Sequence, residues 1–142
     1  MTFLLKGGGD LFSAVPAPPV RTDGLWKTTC FELFVKPEGS DGYYEFNFSP
    51  SGAWAAYAFE RYRMGMRNLE IGQPEIQRRD GSVVVTVDLS PIPQGRWHIG
   101  LSAIIEEQGG IKSYWALAHP LGKPDFHHAD CLALELTAAG DA

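Results

Sequence analysis

The chain has 142 residues, 44% of them hydrophobic and 20% charged, with a formal net charge of −5. That length and apolar content suit one domain, residues 1–142, built on a single core, and argue against a disordered chain. The acidic balance argues against a nucleic-acid partner, because the densest basic group, Arg61, Arg63 and Arg67, is spread along a segment rather than massed in a run.

Residues 2–6 read as a short strand that begins almost at the first residue, which suits a sheet edge or an abbreviated start. The opening heptad lacks the basic region, long apolar stretch and cleavage site of a secretory signal. No apolar run approaches the roughly 18 residues of a membrane helix. A cytoplasmic chain without membrane contact is therefore expected. Gly7-Gly8-Gly9-Asp10 and the proline-rich residues 14–19 follow, so residues 1–24 read as an irregular or truncated segment.

Residues 28–50 carry the clearest pattern. Thr29, Phe31, Leu33 and Val35 alternate with Cys30, Glu32 and Phe34, and Tyr44, Phe46 and Phe48 alternate with Tyr43, Glu45 and Asn47. In strands, such alternation sends each set to its own face. The turn formers of residues 36–42 join the two strands as an antiparallel hairpin. One face is apolar. The other carries carboxylates, an amide and aromatic rings, and is either ordinary solvated sheet or a ligand platform.

Residues 53–63 alternate as a strand, although their alanines favour helix; shortness and flanking sheet decide for strand. Residues 64–74 read as an irregular crossover. Residues 73–79 and 82–89, joined by Asp80-Gly81, make a second hairpin, and residues 98–106 and 112–118, joined across Gly109-Gly110, a third. Residues 131–137 form the last strand. About eight strands punctuated by Gly and Pro predict an all-β, antiparallel sandwich of two sheets. Cys30 and Cys131 both fall in predicted strands. Without a secretory signal they are expected as reduced, buried thiols, a bridge between neighbouring strands being the alternative.

Trp26 with Glu32 six positions on, the Glu-Leu-Phe-Val strand, the Tyr-Tyr-Glu-Phe-Asn-Phe-Ser-Pro-Ser-Gly arm and Phe126-His127-His128 before an apolar last strand resemble the DOMON-like, family-nine carbohydrate-binding-module group. The resemblance spans roughly residues 25–137. It implies a jelly-roll-like sandwich in which an aromatic at Trp26 stacks on a sugar and a carboxylate at Glu32 bonds its hydroxyls. A basic or amide side chain around Glu45 and Asn47 would assist, and Glu45 departs from that pattern by being acidic. The opening strands of the group are longer than residues 1–24.

The chemistry of these side chains suits a saccharide, since an indole offers an apolar face to the C–H side of a pyranose while carboxylate and amide bond its hydroxyls. The bland reading makes Trp26 an end plug of the sandwich and pairs Glu32 with a cation. The expected function is non-catalytic binding of a small ligand, a carbohydrate first of all, at Trp26, Glu32, Glu45 and Asn47. Tyr43, His119, Lys123 and His128 are secondary candidates, because the last loop could close over the same end. Glu32 and Glu45 also sit on neighbouring strands, as a glycosidase pair would. The His- and Asp-rich residues 118–130 fit no standard metal spacing, and a structural calcium on loop carboxylates is a further option. No cofactor is expected. The runner-up, implied by DOMON relatives, is electron transfer through haem b held by Met64 or Met66 with His119. A third reading is an interaction module that dimerises through an open sheet edge.

Overall fold

The computed structural model describes residues 2–4, 19–79, 82–107 and 109–138. The Gly7–Asp10 stretch, residues 14–18 and the Asp80-Gly81 turn lie outside the described residues. Among the described residues, ten strands form two antiparallel sheets. The smaller has the order β1 (Thr2–Leu4), β7 (Ser82–Thr86), β6 (Glu75–Arg79), so the first strand does occupy an edge. The larger runs β10 (Leu134–Ala138), β8 (Gly95–Glu106), β2 (Cys30–Pro37), β3 (Tyr43–Phe48), β4 (Trp54–Phe59), β5 (Arg67–Asn68), with β9 (Lys112–Ala116) also paired to β8. The all-β sandwich and its three hairpins are as the alternation predicts. β5 is a two-residue strand inside the expected crossover.

The sandwich core follows the strand period. Phe31, Leu33 and Val35 from β2, Phe46 and Phe48 from β3, and Trp54, Ala56 and Ala58 from β4 pack in one cluster with Val83 and Val85 of the smaller sheet. A one-residue slip in register would exchange these for Glu32, Glu45 and Asn47, so the apolar set pins the pairing.

The opposite face of the large sheet is covered too. Phe34, Tyr43, Tyr57, Phe59 and Ile104 on that face form a second cluster with Phe126 and Cys131, against which Leu25, Ala116 and Leu132 pack. The cover consists of a 3-10 turn at Leu25–Lys27 and the long connection after β9. Gly100 permits the close approach of that connection: a Cβ there would lie 3.0 Å from the Cys131 carbonyl oxygen.

The last strand begins later than expected. Cys131 sits in a 3-10 turn, Ala129–Cys131, not in a strand. The turn holds because the His128 ring accepts the Asp130 N–H and the Cys131 thiol donates to the Asp125 carbonyl at 3.1 Å. Local side-chain bonding here outcompetes the apolar alternation. Both cysteines are free and buried. No helix of the described residues is long and apolar enough to cross a membrane.

Candidate ligand-binding site

The covered face of the large sheet leaves a cavity of about 740 Å³ between strands and cover, within the range usual for small-ligand sites. Glu32 and Glu45 line it from the sheet, and Trp26, Tyr57, Phe59, Tyr114 and Phe126 supply aromatic surface. Asp23, Arg63, Met66 and His127 complete its polar and outer parts.

The sheet register fixes the carboxyls. Glu32 stands across from Ser102 on β8 and Asn47 on β3, and Glu45 stands across from Phe34 on β2 and Tyr57 on β4. The two carboxyls are thus diagonal neighbours on one face, a relation that brings long side chains within reach. Both are buried, Glu32 at 3% and Glu45 at 6% exposure. This face is therefore no solvated sheet. Glu32 accepts a long hydrogen bond from the Ser102 hydroxyl at 3.3 Å. The His127 Nε2 lies 3.2 Å from a Glu45 oxygen.

Burial dominates the electrostatics. Desolvation pushes the Glu32 carboxyl up to about 8, with repulsion from Glu45 adding to the rise and the Ser102 hydroxyl and Arg63 charge opposing it. Desolvation likewise lifts Glu45 to about 7, against the neighbouring Asn47 amide and Arg63. The pair titrates as a unit, holding protons near neutrality. His127 goes the other way, down to about 4, because burial and then Arg63 disfavour the imidazolium. It is a neutral ring at pH 7.

A chain of contacts fixes that ring. The Tyr43 hydroxyl accepts the backbone N–H of Arg63 at 2.9 Å and lies 2.8 Å from His127 Nδ1. Its own proton then goes to Nδ1, which leaves Nε2 as the protonated nitrogen facing Glu45. Rings of Phe34 and Phe59 meet the imidazole edge-on at 5.0 and 5.1 Å. Arg63 is held at φ 52, in the left-handed region that few non-glycine residues occupy. Its guanidinium pairs with Asp125 at 2.7 Å, and Tyr62 also bonds Asp125. Burial would raise Asp125, but the Tyr62 and Arg63 hydrogen bonds hold it below its ordinary value.

Of the residues expected from sequence, Trp26, Glu32 and Glu45 come together at the cavity. Trp26 is 55% exposed, with Lys27 Nζ 5.8 Å over its ring, so it does not plug the sandwich. Nor, among the described residues, does Glu32 form an ion pair with a cation; it takes its hydrogen bond from Ser102. Asn47 does not line the cavity; at 1% exposure it is buried beneath it, with neither amide atom in a well-formed hydrogen bond among the described residues, though the amide still favours the nearby Glu45 carboxylate. Tyr43 holds His127 rather than facing the cavity. His128 lines a separate, smaller depression and caps the turn after it. His119 and Lys123 are exposed and do not line this cavity, His119 lying 6.0 Å from the Phe126 ring. The expected loop does close over the site, but through Pro124, Phe126 and His127. Sequence reasoning missed His127, Arg63 and Tyr57. The Tyr57 position was legible, since it shares a strand face with Phe59. Arg63 and His127 come from irregular turns, where spacing says nothing about direction.

Met66 and His127 line the cavity, and Met64 and His119 do not. Met64 instead accepts from the Arg61 guanidinium at 3.3 Å. Among the described residues, no three His, Cys, Asp or Glu side chains are grouped to hold a metal ion. Comparisons with protein-family models, curated proteins and solved structures return no match.

Proposed function

We propose that this protein binds a small carbohydrate without chemically altering it, as a DOMON-like, family-nine carbohydrate-binding-module-like sandwich. One observation carries the reading: Trp26, Glu32 and Glu45 line the same cavity, which also presents four further aromatic rings. A pyranose needs an apolar plate for its C–H face and groups that both give and take hydrogen bonds at its rim. A proton-holding carboxyl pair does both. The exposed Trp26 forms one wall that a ligand can reach from solvent.

The test is isothermal calorimetry with a panel of mono- and disaccharides, on the parent protein and on Trp26→Ala and Glu45→Ala. Calorimetry is preferred to fluorescence because Trp26→Ala removes the reporter along with the stacking surface. Saturable heat in the parent that is lost in both variants supports the reading. A flat response to every sugar discards it.

A further inference from the structure

Hydrogen-bond capacity in the cavity is lopsided. Three carboxyl groups line it, Asp23, Glu32 and Glu45. Among the described residues, one permanent cation lines it, Arg63, and that guanidinium is already committed to Asp125 at 2.7 Å. Asp23 has the Tyr57 hydroxyl at 2.6 Å, whereas Glu32 has only the long bond from Ser102. His127 stands neutral beside Glu45. Across from Glu32, the buried Asn47 amide has no well-formed hydrogen bond among the described residues, although it lies close enough to Glu45 to favour that carboxylate. Each carboxyl thus has a single donor or a weak one for several lone pairs, a shortage that is costly in a buried place, and the three collect under walls made of Trp26, Tyr57, Phe59, Tyr114 and Phe126.

We infer that the saccharide this cavity takes carries a protonated amine, and that Glu32 and Glu45 receive it. The inference rests on the carbohydrate reading above and narrows it to one class, amino sugars. An ammonium brings three donors and no acceptor, which matches the surplus. Its charge is also attracted by the faces of aromatic rings, most strongly once both are out of water. A neutral sugar brings a hydroxyl that both donates and accepts, so it relieves the imbalance less. On binding, the carboxyls become carboxylates and their protons pass to solvent, while the ligand keeps its own. The other titratable groups facing the cavity are Asp23, Tyr57, Arg63, Tyr114 and His127.

Calorimetric titration of the intact chain at pH 7 with glucose and with 6-amino-6-deoxyglucose tests this directly, because the two differ by one hydroxyl-to-ammonium exchange. The expected result is binding of the amino sugar tighter by about tenfold or more, a difference of about 1.4 kcal/mol. That preference should shrink in Glu32→Gln and Glu45→Gln, each of which swaps a carboxyl for an amide of the same shape without adding a buried charge. Equal or tighter binding of glucose overturns the amine inference and leaves carbohydrate binding in place. Absence of binding by both sugars overturns the inference together with the reading beneath it.

Discussion

The two faces of the β2–β3–β4 sheet differ by a single step in the alternation, yet they do different work. On one face Phe31, Leu33, Val35, Phe46 and Phe48 meet Val83 and Val85 of the smaller sheet in an apolar core. On the other, residues just as buried include Glu32, Glu45 and Asn47, set beside a cavity of about 740 Å³. Burial therefore fails to separate core from site in this protein. What separates them is unfilled space and unmet hydrogen bonding. Interiors are normally close-packed and polar groups within them paired. The second face breaks both rules in one place.

That contrast can be broken at either face, and the largest effect is expected in the core. Phe46→Ala empties a fully buried site and should cost about 3–5 kcal/mol in denaturant unfolding. A cost below about 1 kcal/mol would mean that this face is not the packed one. Next comes Tyr43→Phe, which strips the hydroxyl from His127 and from the Arg63 backbone. Orphaning a partly buried donor and a partly buried ring nitrogen should cost about 1–3 kcal/mol, and saccharide affinity should fall as His127 loses its orientation. Unchanged stability and affinity would show that the contact chain carries no weight.

The carboxyl pair sharpens the comparison through pH. Folding raises Glu32 and Glu45 above their ordinary 4.5, so the folded state holds protons that the unfolded chain has released. Stability on their account is full below about 4.5 and falls as pH rises through about 8. His127 has the opposite sign: its folded value of about 4 lies below the ordinary 6.5, so its contribution is lost as pH falls between those two values. Above pH 6.5 the decline belongs to the carboxyls. Glu45→Gln should then flatten it, with a gain on the order of 1 kcal/mol at pH 8.5 relative to the parent. Parallel melting-temperature profiles for parent and variant between pH 6.5 and 8.5 would contradict the raised pair. The smallest stability effect is expected for Trp26→Ala. Its half-exposed ring should cost within about 0.5 kcal/mol while abolishing saccharide binding.

The fold was legible because a strand's period is short and its errors are expensive. Alternation assigned residues 30–35 of β2 and 43–48 of β3 to their observed faces, although Lys36 and Pro37, read as turn, continue β2, and the same logic decided strand over helix for the alanine-rich β4. It faltered at Cys131, where the His128 cap and the bond to the Asp125 carbonyl make a turn that hydropathy does not encode. The site divides along the same line. Glu32 and Glu45 lie on regular strands and could be placed; Trp26 was singled out by its chemistry. Alternation also put Asn47 on the right face, but not how deep it would lie, because depth depends on what the cover leaves open. His127 and Arg63 take their directions from the connection after β9 and from a turn at φ 52. Those directions are set by tertiary contacts with Tyr43 and Asp125, so His119, Lys123 and His128 looked equally eligible.

The central claim is that the second face of this sheet, and no other surface, receives the ligand. Amide NMR spectra recorded during titration with the tightest-binding saccharide of the panel test it most directly. Saturating shifts concentrated at residues 23–26, Glu32, Glu45, Tyr57, Arg63 and 124–127, with Phe46, Val83 and Val85 unmoved, are the predicted result. Shifts confined to the surfaces around His119 and Lys123, or spread over the smaller sheet, would contradict the account.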